Sequence, residues 1–143
     1  MEITGVEINF VVPDCREALQ LYSAIFDIEI LEATNLPAGS NEAVFMLYGM
    51  RLHMLDHNPQ YHLIAPASDD PRSVWLNITV PDIAQTLEKA LANGCTLIMP
   101  INKMEEMGIS NAMFSDPYHH PWLLHEIHRT VGFEERLGAI GKQ

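Results

Sequence analysis

Glu7, His53 and His125 are the side chains suited to proton or metal chemistry. A carboxylate and an imidazole can act as general base and acid, or as ligands of a divalent ion. Strand parity sets their neighbours. Val6, Ile8, Phe10 and Val12 alternate with Glu7, Asn9 and Val11, and Val74, Leu76, Ile78 and Val80 alternate with Trp75, Asn77 and Thr79. One face of each strand is therefore apolar and the other carries polar groups. The even faces are expected to pack on helices, and the odd faces to line something other than dry core. His53 sits in Leu52-His53-Met54-Leu55 with Arg51 and Leu55 on its own face. A hydrogen-bonded core histidine is the competing reading there, and for Glu7 it is a polar residue bonded to Asn77 or His53.

An internal duplication positions these groups. Ile8-Asn9-Phe10-Val11-Val12-Pro13-Asp14 and Leu76-Asn77-Ile78-Thr79-Val80-Pro81-Asp82 share Asn, Val, Pro and Asp at one constant offset. Asp14 with Glu17, and Asp82 with Gln85, have the spacing of a helix capping box. Helical periodicity follows in Ala18, Leu21, Tyr22 and Ile25, and again in Ile83, Leu87 and Leu91, the second helix stopping at Asn93-Gly94. Three strand-like pieces come after each helix: 28–33, 42–48 and 50–56, then 95–99, 109–115 and 122–127, with Gly49 making a tight hairpin. Loops are expected at 34–41, 100–108 and 116–121. The unit is βαβββ written twice, over about 3–56 and 73–128, joined by a linker at 57–72 that holds Pro59, Pro66 and Pro71. In the tail, 129–143, Phe133, Leu137 and Ile140 suggest one short amphipathic helix.

At 143 residues the chain makes a single α+β domain with a real core. A formal charge of −11 and a pI near 4.8 argue against nucleic acid and anionic membranes as partners. The longest apolar run, 43–48, is far short of the ~20 residues of a membrane helix. The first basic residue is Arg16, which leaves no positive n-region for export, so a cytoplasmic protein with Cys15 and Cys95 as free buried thiols is expected.

Two tandem βαβββ units, each opening strand–Pro–Asp–helix, resemble the vicinal oxygen chelate superfamily, the glyoxalase, bleomycin-resistance and extradiol-dioxygenase group. The closing Ser115-Asp116-Pro117-Tyr118-His119-His120-Pro121-Trp122 is similar to that group's D-P-x-G-x-x-(W/I) turn, with a histidine replacing the usual glycine. Pro121-Trp122 and Asn93-Gly94-Cys95-Thr96-Leu97 look most like its PhnB-type branch. The resemblance spans about 3–128. It implies a cupped sheet, a homodimer, and a divalent metal (zinc, nickel, iron or manganese) held by two strands of each unit. Carried onto this chain, the ligand positions fall on Glu7, His53, Trp75 and Leu123, of which Trp75 and Leu123 cannot coordinate. His125 supplies a third donor only if the register is shifted by two.

A small-molecule-binding module is therefore the preferred expectation, its ligand held in the concave cup without a full catalytic metal site. Trp75 and Phe45, with Tyr48 and Trp122, would form the apolar wall, and Asn9, Asn77, Thr79, Leu123 and His125 would complete the lining. The alternative is a metal-dependent lyase, isomerase or dioxygenase acting on vicinal oxygens, with Glu7 and His53 as ligands or as base and ligand. A third reading is a metal-free enzyme pairing Glu7 as base with His53 or His125 as acid.

Overall fold

A carboxylate starts each of the first two helices. Asp14 accepts from the N–H groups of Arg16 (2.9 Å) and Glu17 (3.2 Å) and opens α1 (Cys15–Ile25). Asp82 accepts from Gln85 N–H (3.0 Å) and opens α2 (Ile83–Ala92). These bonds satisfy donors that a helix cannot pair internally. α2 ends in a Schellman turn, with Cys95 N–H on Ala90 O (3.0 Å), Gly94 N–H on Leu91 O (3.3 Å) and Gly94 at φ +93°.

The computed structural model describes residues 2–141. The chain divides at Ser68/Asp69 into two compact units. The first holds β1 (Ile8–Val12), α1, β2 (Ile28–Ala33), β3 (Glu42–Leu47) and β4 (Met50–Asp56), with strand order β1-β4-β3-β2. The second holds β5 (Leu76–Thr79), α2, β6 (Thr96–Met104), β7 (Ile109–Ser115) and β8 (Pro121–Ile127), ordered β5-β8-β7-β6, and then α3 (Phe133–Ile140). In each sheet the first strand runs parallel to the fourth and the other pairings are antiparallel. This is an α+β fold of tandem βαβββ modules. Tyr48 (φ 46°) and Gly49 (φ 90°) join β3 to β4 in a two-residue turn with the backbone signs of type I′.

Strand parity builds the core. In the first unit Phe10, Tyr22 and Phe45 meet at 6.0–6.4 Å between ring centroids, over fully buried Leu52 and Met54. In the second, Ala112, Phe114, Trp122 and Leu124 share the buried face with Ile83, Leu87 and Ala90 of α2. Full burial of such large side chains contributes about 1.5–3 kcal/mol each. A second carboxylate also reaches each helix start from the central strand. Asp56 of β4 accepts from Cys15 N–H (2.7 Å), Gly39 N–H (2.9 Å) and Asn41 N–H (2.9 Å). At the matching place in β8, Glu126 accepts from Ile83 N–H (3.0 Å). Burial pushes the Asp56 carboxyl up, but the three backbone donors outweigh it and its pKa ends below the ordinary carboxylate value. Both cysteines are buried and free; burial and the nearby Asp116 push the Cys95 thiol up to about 12.

Several expectations need correction. Val6 and Val74 precede the paired strands and are 98% and 78% exposed rather than packed on helices. Phe45 is 0% exposed and lies under α1, so it is core and not ligand wall; Trp122 is buried likewise, its indole N–H donating to Asp116 Oδ2 (2.9 Å). β6 continues through Pro100 to Met104 where a loop was expected, because β6 is an edge strand and an edge tolerates a missing N–H. Leu91 is exposed, and in α3 it is Ala139 that is buried while Phe133, Leu137 and Ile140 are exposed.

Candidate functional site

The sheet faces opposite the helices hold the candidate groups, one set in each unit. In the first unit Asn9 pairs with His53 across β1 and β4, and Val44 pairs with His53 across β3 and β4. Glu7 stands just before β1. Its Oε2 accepts from Arg51 Nε (2.9 Å) and its Oε1 lies 3.2 Å from His53 Nδ1. The Arg51 hydrogen bond, with help from His53, holds the Glu7 carboxyl below its ordinary pKa. The His53 side chain is 19% exposed, and its Nε2 is buried without a hydrogen-bond partner. Glu42 Oε2 is 3.7 Å from that nitrogen, beyond hydrogen-bond reach.

These donors do not fit a fixed divalent metal. Glu7 gives one oxygen to the Arg51 guanidinium and faces a ring nitrogen with the other, so both of its oxygens are already engaged. Among the described residues no three His, Cys, Asp or Glu side chains converge to hold a metal ion. His125, the expected third donor, instead accepts from Asn77 Nδ2 (3.1 Å), and burial lowers its pKa. Its partner across the sheet is Thr79, and Leu123 lies between Asn77 and Met113 in register.

The second unit has a different feature. Trp75, Pro71, Ile98, Met113 and Pro121 wall an apolar cavity of about 220 Å³. The Trp75 indole is 48% exposed, enough free surface for a ligand to cover. Asp69, Ser115 and His119 form its polar end: Ser115 Oγ–H donates to Asp69 Oδ1 (2.6 Å), and His119 Nδ1 lies 2.8 Å from the same oxygen. The Ser115 hydrogen bond and His119 hold the Asp69 carboxyl below its ordinary pKa. Asn9, Asn77, Thr79, Leu123 and His125 do not line this cavity. Sequence reasoning found Trp75 but missed Asp69, Ser115 and His119 as a group. The available signal was Asp69-Asp70-Pro71-Arg72, an acidic, proline-held end of the linker directly before Trp75.

The sequence model of the Glyoxalase/Bleomycin resistance protein/Dioxygenase superfamily matches residues 6–124. Uncharacterized proteins of Mycobacterium bovis and Mycobacterium tuberculosis are 26% identical over 139 residues, covering 94% of this chain and 91% and 81% of theirs. The genomically encoded fosfomycin resistance protein FosX of Listeria monocytogenes, complexed with Mn(II) and sulfate, superposes with a TM-score of 0.67 at 18% identity over 98% of this chain and 99% of its own. TioX of Micromonospora sp. ML1 gives 0.63 at 12% identity over 90% and 100%. Likeness at these identities shows a shared fold.

Proposed function

The chain belongs to the Glyoxalase/Bleomycin resistance protein/Dioxygenase superfamily, and from that premise we propose that it is a small-molecule-binding protein whose ligand lies on the sheet face around Trp75. The observation that carries this reading is the apolar cavity beside a half-exposed indole, with three polar groups gathered at one end. Small-molecule sites have that composition: mostly apolar walls and a few placed polar groups that orient the ligand. Drug resistance is named both in the superfamily's description and for FosX, and sequestering a small molecule is one way to deliver it. We place the protein within the PhnB-type branch, on Pro121-Trp122 and residues 93–97, and read it as a cytoplasmic homodimer. Exposed Leu97, Met99 and Ile101 on edge strand β6 support the second copy.

A thermal-shift screen of neutral aromatic and heteroaromatic compounds tests the reading. Hits are expected to raise the wild-type melting temperature and to lose at least nine-tenths of their affinity in Trp75→Ala. Hits that bind that variant unchanged would move the ligand elsewhere. One observation favours a second reading, a divalent-metal-dependent lyase, isomerase or dioxygenase: the buried, partnerless Nε2 of His53, 3.7 Å from Glu42 Oε2, on a ring whose Nδ1 faces Glu7. Near-stoichiometric zinc, nickel, iron or manganese in protein purified without chelator, lost in Glu7→Ala/His53→Ala, would establish it.

A further inference from the structure

The polar end of the Trp75 cavity is built on a carboxylate. Asp69 lines the cavity and receives Ser115 and His119 on Oδ1, so its second oxygen, Oδ2, remains as an acceptor of a carboxyl held below its ordinary pKa. The Arg72 guanidinium on the same rim donates to the Asp70 carbonyl. With Asp69, Asp70 and Arg72 at the rim, the formal balance there is negative.

The His119 backbone fixes where the ring stands. It sits at φ 72°, in the left-handed region that favours glycine, inside the Asp116–Pro121 turn. Histidine enters this region more readily than most side chains, and here the turn holds the ring on Asp69.

Resting on the pocket reading above, we propose that the cavity takes an organic cation: a protonated amine or amidine carried on an apolar, ring-sized body. The charge lies against the Asp69 carboxylate, and the body stacks over the Trp75 indole and against Met113. The cavity, at about 220 Å³, is below the roughly 300–1,000 Å³ of drug-sized sites, so the ligand or its buried part is fragment-sized.

Calorimetric titration of the full chain with benzamidine, benzamide and benzoate tests this, because the three probes share a ring and differ in charge. Benzamidine is expected to bind at least tenfold tighter than benzamide, with benzoate weakest. Asp69→Asn, a change at a half-exposed position, is expected to weaken benzamidine at least tenfold and to weaken it more than it weakens benzamide. Benzamide or benzoate binding as tightly as benzamidine would overturn the cation assignment and leave the pocket standing. So would benzamidine binding that Asp69→Asn does not weaken. Failure of all three probes to perturb wild-type protein would remove both the cation assignment and the pocket. The wild-type series decides the matter even if Asp69→Asn does not fold.

Discussion

On the first sheet, the face away from α1 carries Glu7, Arg51, His53 and Glu42, all engaged with one another or nearly so. On the second, the face away from α2 carries Trp75 and Met113 beside a cavity, with Asn77 and His125 bonded to each other nearby. The strands beneath are the same. Asn9 and Asn77 occupy equivalent register positions, and Asp56 and Glu126 both reach from the central strand to a helix start. Duplication kept the frame, which is set by parity and capping, while the open faces, which bear little of the core, changed chemistry. One became an ion-paired patch and the other an apolar socket. The first face spends most of its polar groups on one another and leaves His53 Nε2 unpartnered, whereas a half-exposed indole beside a cavity has apolar surface to lose.

The shared frame gives the largest expected effect. Asp56→Ala leaves three backbone N–H groups without their acceptor, and at about 1–3 kcal/mol for each unsatisfied donor the loss in unfolding free energy is on the order of 3 kcal/mol or more. Glu126→Ala removes the acceptor of one such donor and should cost about 1 kcal/mol by urea unfolding. Equal costs would break the picture of one device built with unequal numbers of bonds. A smaller effect follows from pH. Because the folded pKa of Asp56 lies below its ordinary value of 3.8, its contribution is full above that value and is lost as pH falls through the folded one. The stability gap between wild type and Asp56→Asn should therefore narrow below about pH 4; a gap constant to pH 2 would contradict it.

The duplicated frame was legible because its signals are local. Pro-Asp before each helix, Asn93-Gly94 after the second, and alternation in the first strands each act within a few residues. What failed was the reach of the alternation, since Val6 and Val74 lie before the paired strands, and the assignment of faces in runs without alternation. Phe45 lies in Ala43–Leu47, where nearly every residue is apolar, so parity could not be read, and the register Phe45↔Leu52 puts it under the helix. The long-range groupings were not legible either. Arg51 is 44 residues from Glu7, and His119 is 50 from Asp69, and only the fold brings each pair to hydrogen-bond distance. The His119 position shows a case in between. The turn motif located the glycine-like site, but why a histidine stands there is visible only once Asp69 is beside it.

The most direct test of the contrast between the two faces is a two-dimensional NMR titration of the full chain with benzamide, the neutral probe, so that charge plays no part. It follows the indole N–H of Trp75 and Trp122 together with the His53 ring. Trp122, buried and bonded to Asp116, serves as the internal control. The account predicts a saturable shift of the Trp75 indole and of the Met113 methyl, with Trp122 and His53 unmoved. A shift at His53 with Trp75 unmoved would contradict it and place the binding face on the first unit.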